Sequence, residues 1–184
     1  MKRLLDVALS LAALLVLSPL LVGTAIAVWL EDGRPILFRQ VRVGRGGREF
    51  GMYKFRSMVK NAAAIGPYHT SANDPRITRT GRFIRRTSLD ELPQLLNVLF
   101  GDMSLVGPRP DVPAQRALYT EADWAQRCSV RPGLTGLAQA LYRSESSPEQ
   151  RLEADLRYTR EASLWLDMKI CWWTLQRLTG KGAN

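Results

Sequence analysis

The sequence is poor in the side chains that most nucleophilic enzymes rely on. In 184 residues it has one histidine, His69, and two cysteines, Cys128 and Cys171. A Ser/His/Asp or Cys/His mechanism would have to run through His69, which lies in a polar stretch with no nucleophile motif beside it. Two cysteines do not make a disulfide framework; they fit a reducing compartment, and no ligand cluster near them suggests a metal site. Acidic residues are also scarce, 17 against 26 Lys and Arg, for a net charge of +9 and a pI near 10.1. That balance calls for an anionic partner: nucleic acid, an anionic membrane surface or a phosphorylated substrate. A nucleic-acid module and a basic–aromatic stacking platform are both missing, so no nucleic acid is expected among the partners. The length suits one domain with an attached element.

Charge is missing altogether from Val7 to Leu30, a run of 24 residues. A straight helix of that length can cross a bilayer core. Three readings compete. A cleaved signal peptide would use Lys2-Arg3 as its basic end and Ala25-Ile26-Ala27 as its cleavage site, but the run is long for that and Asp6 is out of place. A plain transmembrane helix is the second. The third is a helix that enters the membrane and turns back, and the charges favour it. Lys2 and Arg3 precede the run, while Arg34, Arg39, Arg42, Arg45, Arg48, Lys54, Arg56 and Lys60 follow it. A single span would put one basic flank on the wrong side, whereas re-entry keeps both in the cytoplasm. Ser18-Pro19 sits near the middle, where proline removes a backbone donor and bends a helix. Prolines also occur in ordinary membrane helices, so the residues alone leave the span open.

Beyond the apolar run, Pro35 to Val43 reads as a strand, Gly44-Arg45-Gly46-Gly47 as a turn, and Glu49 to Phe55 as a second strand, together a hairpin. Lys54 and Arg56 alternate with Tyr53 and Phe55 at its end. They are either a solvated basic face or a contact for lipid headgroups or substrate phosphate. Lys60 to Asn73 reads as a short helix and then a loop of small and polar residues.

The densest chemistry lies between Asp74 and Pro110, 37 residues that hold Arg76, Arg79, Arg82, Arg85 and Arg86, the acidic pair Asp90-Glu91, and the turn Gly107-Pro108-Arg109-Pro110. Cations beside carboxylates and a rigid Pro/Arg loop suit phosphoryl transfer, where positioning and charge neutralisation do most of the catalysis. Arg76, Arg79, Arg82 and Arg85 recur every third residue and would form one stripe on a helix that Gly81 weakens. Arg85, closest to the acids, is the candidate for substrate phosphate, and the rest are expected to face the membrane. Ser88-Leu89-Asp90-Glu91 matches a capping box, although Pro93 allows Asp90 itself to be the cap. Either way Asp90 is expected at a helix N-terminus, where the macrodipole favours a carboxylate and attracts phosphate. The bland alternative is that both acids merely cap the helix. Neighbouring helical carboxylates diverge by about 100°, which argues for two jobs rather than a shared proton. Leu95, Leu96, Val98, Leu99 and Phe100 are the expected core face, Gly101 the helix end and Asp102 a turn acid rather than a metal ligand. Pro108 and Pro110 fix the backbone around Arg109.

Val112 to Arg127 reads as an amphipathic helix. The Pro/Gly loop that follows is flanked by Arg127 and Arg131, which either reach phosphate or uracil or are surface arginines. Ser147-Pro148-Glu149 starts a further helix, with Asp155, Tyr158 and Asp167 on it or on its continuation. Leu164 to Leu178, with Trp165, Ile170, Trp172, Trp173 and Leu175 among Lys169 and Arg177, is either a membrane-interface helix or a core-packed one.

Ser88 to Pro110, SLDELPQLLNVLFGDMSLVGPRP, resembles the signature of the bacterial sugar transferases, the monotopic phosphoglycosyl transferases. FRQVRVG (Phe38 to Gly44), YKFRSM (Tyr53 to Met58) and RPGLTGLAQ (Arg131 to Gln139) resemble further family segments in the same order, and the likeness runs over nearly the whole chain. The resemblance implies an α/β fold: a single small monotopic membrane domain with a Ser-Pro broken re-entrant helix, short strands and amphipathic interface helices. Residues 1–32 would be the re-entrant element and 33–184 the catalytic domain on the cytoplasmic face of a bacterial inner membrane, with no appended domain. In the family the matching aspartate attacks the β-phosphate of a UDP-sugar, UMP leaves, and polyprenyl (undecaprenyl) phosphate takes the phosphosugar from the enzyme, opening synthesis of a surface glycan. Carried onto this chain, Asp90 is the nucleophile, Glu91 its partner as a Mg²⁺ ligand or proton-handling group, and Arg85 a phosphate contact. Pro108, Arg109 and Pro110 would lie beside the nucleotide, and Asp155 and Asp167 match acids of the family's C-terminal region. Lys54, Arg56, Arg127 and Arg131 complete the candidate substrate contacts, and a homodimer is left open. The rival is a membrane-anchored basic module that binds anionic lipid or nucleic acid without catalysis, which leaves the LDELPQ and GPRP segments unexplained.

Overall fold

The computed structural model describes residues 1–65, 74–142 and 147–178. His69 and most of the polar loop around it lie outside the described residues. The apolar run forms two helices, α1 (Lys2–Val16) and α2 (Ser18–Asp32), bent by 63°. The bend falls where the sequence places it. Pro19 has no N–H to offer the Leu15 carbonyl four residues back, and the Ser18 hydroxyl donates to that carbonyl instead, at 2.8 Å. Each arm of 15 residues is about 22 Å long at 1.5 Å per residue. Among the described residues no single helix is long and apolar enough to cross a membrane, and only the bent pair together has the length and composition.

The first turns of α1 are built into the rest of the molecule. Asp6 is buried: its Oδ2 accepts from Ser104 Oγ at 2.9 Å and its Oδ1 from the Leu105 N–H at 3.1 Å. Arg3 donates to the carbonyls of Val98 and Leu99, and Lys2 Nζ reaches Val106 O at 3.1 Å and Asp167 at 2.6 Å. The acid that sits oddly in an apolar helix is thus an anchor for the segment that follows the acidic pair.

After α2 comes the expected hairpin, β1 (Leu37–Val43) and β2 (Glu49–Phe55), antiparallel with Leu37 opposite Phe55 and Val43 opposite Glu49. A short α3 (Ala62–Ile65) precedes α4 (Arg79–Arg86), α5 (Gln94–Phe100), β3 (Ser104–Val106), α6 (Glu121–Arg127), β4 (Gly133–Thr135), α7 (Leu137–Tyr142), α8 (Pro148–Glu161) and α9 (Leu164–Leu178). β3 and β4 form a short parallel pair, Ser104 opposite Gly133 and Val106 opposite Thr135. Here two backbones touch: a Cβ on Gly133 would stand 2.1 Å from Gly107 N, and one on Gly107 would stand 2.3 Å from Arg131 O. The glycines of the GPRP and RPGLTG segments are therefore needed to bring the two loops together.

Three expectations change. Val112 to Arg127 is not one helix: a 3₁₀ stretch over Pro113–Leu118 stops at Tyr119, and Thr120 caps α6 by accepting from the Asp123 N–H. Arg76 does not belong to a helical stripe. It precedes α4, is buried, and binds both carboxylate oxygens of Asp74 at 2.9 and 2.6 Å as well as the Ala62 carbonyl. The capping box at Ser88 is not formed either. Ser88 has φ = 57° and its side chain caps nothing, Leu89–Glu91 is a single 3₁₀ turn, and α5 begins only at Gln94 behind Pro93. The two candidate capping acids are held by other means.

The ambiguity over Leu164 to Leu178 resolves by face. Ile170 is fully buried in the cluster with Tyr158, Leu137 and Val106, with Trp173 packed against it. Trp165, Met168, Trp172 and Leu175 stand outward and exposed, with Lys169 Nζ 5.3 Å from the Trp165 ring centre.

Candidate active site

The Leu89–Glu91 turn is pressed between the end of β2 and the loop after β3. Glu91 Oε1 accepts from Lys54 Nζ at 2.7 Å and from Arg109 Nη2 at 2.8 Å. Burial disfavours the Glu91 anion, but the charges of Arg109 and Lys54 and their hydrogen bonds outweigh it and hold the carboxyl at about 2. Both cations take the same oxygen, which leaves Oε2 for a further ligand.

Asp90 is placed differently. It is 8% exposed, and no Lys or Arg lies within ion-pairing distance of it among the described residues. Burial first, then the neighbouring Glu91 charge, push its pKa up, while Lys54 and Arg85 pull it back. The adjacent acids thus differ as the sequence suggests, one locked as an anion and one desolvated and unpaired, but the cause is packing and cations rather than a helix N-terminus. Arg85, on the last turn of α4, keeps a buried Nη1 that has no hydrogen-bond partner. A desolvated donor left open costs stability unless an acceptor arrives, and an anionic ligand would supply one.

Two supports fix this geometry, and the sequence pattern signals only one of them. Asn97 is fully buried. Its Oδ1 accepts from the Tyr53 N–H at 2.9 Å and its Nδ2 donates to Gly51 O at 2.8 Å, so it lies along β2 as a third strand would. That ties α5 to the residue next to Lys54. A polar side chain inside LLNVL, where an apolar face is expected, was the available signal. The second support is Arg127. It is buried and pairs with Asp111 at 2.6 Å and Asp155 at 2.9 Å, and its Nη2 reaches the Arg109 carbonyl at 2.5 Å. Arg42 donates to Pro110 O and Gly133 N to Pro108 O, both at 2.9 Å, so the Pro-Arg-Pro loop is held on three sides.

The candidate residues therefore divide. Asp90, Glu91, Lys54 and Arg109 come together, with Arg85 close enough to act on Asp90 electrostatically, and Pro108 and Pro110 frame Arg109. Arg127 and Asp155 form a buried strut behind the loop rather than a surface facing substrate. Arg56 is buried against α2, bonded to the carbonyls of Asp32, Gly33 and Pro35, and joins the helix pair to the hairpin. Asp167 is taken up by Lys2 and by the Tyr158 hydroxyl at 2.8 Å. Arg131 donates to the Gly101 carbonyl and lines an open groove of about 530 Å³ at the hairpin tip with Arg45, Arg48, Glu49 and Asp102, a groove whose lining includes none of the acidic-pair residues. Asp102 accepts from Asn97 in the turn after α5, as expected of a turn acid. For Mg²⁺ the donor set is suitable: its shell is one or two carboxylates completed by phosphate oxygens and water, and the open Oε2 of Glu91 offers one such carboxylate. Among the described residues no group of three acidic, His or Cys side chains stands ready to hold a metal unaided.

The acidic pair, its flanking cations and the clamped Pro-Arg-Pro loop sit on a body anchored to a bent apolar helix pair. Residues 1–181 match the bacterial sugar transferase family, and the chain belongs to it. It is 41% identical to a UDP-N-acetylgalactosamine-undecaprenyl-phosphate N-acetylgalactosaminephosphotransferase of Aeromonas hydrophila, over 100% of this chain and 45% of that protein. It is 44% identical to the UDP-glucose:undecaprenyl-phosphate glucose-1-phosphate transferase of Escherichia coli K12, over 95% of this chain and 39% of that protein. The exopolysaccharide production protein PSS of Rhizobium leguminosarum bv. phaseoli is 45% identical, with 99% of this chain matched to 98% of that protein. The chain thus spans under half the length of the first two relatives and nearly all of the third.

Proposed function

We propose that this chain is a phosphoglycosyl transferase that moves a sugar-1-phosphate from a UDP-sugar to polyprenyl phosphate and releases UMP. The observation that carries the reading is the unequal acidic pair: a desolvated, unpaired Asp90 beside a Glu91 clamped by Lys54 and Arg109. An unpaired carboxylate is free to attack. Asp90 attacks the β-phosphorus of the donor, and the bond from that phosphorus to the oxygen bridging the two phosphates breaks. UMP leaves with the electron pair, and an aspartyl phosphosugar remains. A phosphate oxygen of the polyprenyl acceptor then attacks the same phosphorus, and the Asp90 carboxylate is the leaving group. Arg85 offers its unpartnered N–H to the phosphates, and Glu91 holds Lys54 and Arg109 at their edge. Mg²⁺ bound through Glu91 would neutralise further phosphate charge and leave Asp90 free as the nucleophile.

The bent pair α1–α2 is read as entering one leaflet and returning, which leaves Lys2, Arg3 and the basic residues after α2 on the cytoplasmic side of a bacterial inner membrane. The exposed Trp165 and Trp172 of α9 fit the bilayer interface. The relatives named for glucose and for N-acetylgalactosamine carry the same core, so the sugar is left to experiment. The test is UMP release from a panel of UDP-sugars by the purified chain with Mg²⁺ and undecaprenyl phosphate. Release from one donor that is lost in Asp90→Asn is the expected result. Release that persists in Asp90→Asn removes the nucleophile assignment, and no release from any donor favours the non-catalytic binding module.

A further inference from the structure

Phe38 is half exposed although it sits on the hairpin face that carries the site. It is paired directly with Lys54 across β1 and β2, so the two side chains stand side by side, and Lys54 Nζ is the group bound to Glu91. Further along the same face, Arg42 reaches the Pro110 carbonyl of the arginine loop. Phe38 also has a definite place relative to the apolar helices. Arg56, one residue beyond β2, clamps the end of α2 through Asp32, Gly33 and Pro35, so Leu37 and Phe38 lie at the hairpin end next to α2, opposite the tip at Gly44–Arg48. An exposed aromatic ring therefore stands beside a phosphate-attracting ammonium, at the end of the hairpin next to the apolar helices.

Under the transferase reading, on which this rests, the acceptor is a phosphate on a long apolar chain that must leave the bilayer to reach Asp90. It needs an apolar contact and a cation side by side, as directly paired cross-strand residues are, along a path that starts beside the apolar helices. A planar nucleobase could stack on a ring as well, but the donor is water-soluble and has no reason to approach from α2. We propose that Phe38 is the acceptor-chain subsite. Its ring carries the isoprene units next to the phosphate of polyprenyl phosphate and delivers that phosphate to the Lys54 side of the acidic pair. Lys54 has three N–H donors, so its bond to Glu91 leaves capacity for a phosphate oxygen.

The experiment titrates the purified full chain with undecaprenyl phosphate and, separately, with UDP-glucose or whichever UDP-sugar the wild type accepts. Phe38→Ala is expected to weaken undecaprenyl phosphate binding about tenfold, the scale of losing one buried aromatic contact, with no change in donor affinity. Phe38→Leu, which keeps apolar bulk without a ring, is expected to recover most of it. Val41→Ala, exposed on the opposite face of β1, serves as the control with no effect on either ligand. Unchanged acceptor affinity in Phe38→Ala overturns the subsite. So does a loss of donor affinity that Phe38→Trp restores and Phe38→Leu does not, which assigns the ring to the nucleobase. Reduced association with lipid vesicles at unchanged acceptor affinity overturns it too, and assigns Phe38 to the bilayer. UMP release on the same samples separates the two claims: a wild type that binds both ligands and releases no UMP overturns the transferase reading and not the binding result.

Discussion

Arg109 Nη2 lies 2.8 Å from Glu91 Oε1, a bond that closes a loop of 18 residues and brings the end of the GPRP segment against the acidic pair. Lys54 binds the same oxygen from the other side. Arg109→Ala leaves Glu91 half-buried with one cation instead of two. The expected loss is about two to three orders of magnitude in kcat/KM, the scale of removing one preorganised donor from a site of developing charge, with the fold retained by circular dichroism. Arg109→Lys does not restore activity, because a flexible point charge does not reproduce the guanidinium fork.

The acid limb of the pH–rate profile belongs to Asp90. Glu91 is held at about 2 and stays ionised well above that value. Asp90 has its pKa raised by burial and by Glu91, and it must be ionised to attack, so activity falls as the pH drops through that raised value. Arg85 is one of the charges that lower it. In Arg85→Gln the limb moves to higher pH, besides any loss of phosphate affinity. A limb that stays in place would assign the titration to another group.

Arg127 is a strut between two buried acids, and it fails as a strut when removed. Arg127→Met leaves Asp111 and Asp155 without their cation, which is expected to cost about 3–5 kcal/mol and to lower the melting temperature well before any effect on substrate binding is read. The Asp155 carboxyl is pushed up to about 6, burial outweighing Arg127. A raised folded value means that its contribution to stability is present below the unfolded pKa of about 3.9 and is lost as the pH rises through about 6. Asp155→Asn should flatten the stability curve across that window, measured by thermal unfolding from pH 4 to 7.

Asn97 holds β2 in place beside the pair. Asn97→Leu deletes bonds to Gly51 and Tyr53 and leaves those two backbone groups unpaired, at a cost of about 2–4 kcal/mol. Because Tyr53 adjoins Lys54, activity is expected to fall further than in a surface variant of equal stability, checked by kcat/KM at a temperature where both variants are fully folded.

Much of this fold was legible because local chemistry decides it. Ser18-Pro19 fixes the bend, alternation fixes the hairpin, Gly101 ends α5, and Ser147 with Gln150 caps α8. The acidic pair and Arg109 were legible as residue types in a family signature. What local pattern left open depends on distant partners. Ser88 matches a capping box, but the turn before Pro93 belongs to the Lys54 and Arg109 contacts instead. Arg127 and Arg56 read as either substrate contacts or surface charge, and Asp155 and Asp167 as matches to acids of the family's C-terminal region. Each is instead bonded to a partner from another element, and pairing at that range leaves no periodic trace in sequence. Asp6 shows the converse: its misfit in an apolar helix was visible, while its partners Ser104 and Leu105, some hundred positions away, were not.

The central claim is that Asp90 becomes covalently bound to the phosphosugar. The direct measurement is the intact mass of the purified chain after mixing with an accepted UDP-sugar and Mg²⁺ in the absence of polyprenyl phosphate. The account predicts a mass increase of one sugar phosphate, mapped to the peptide that holds Asp90, absent in Asp90→Asn, and discharged when undecaprenyl phosphate is added. Turnover in the presence of acceptor with no such adduct at any time, or an adduct that survives in Asp90→Asn, would contradict it.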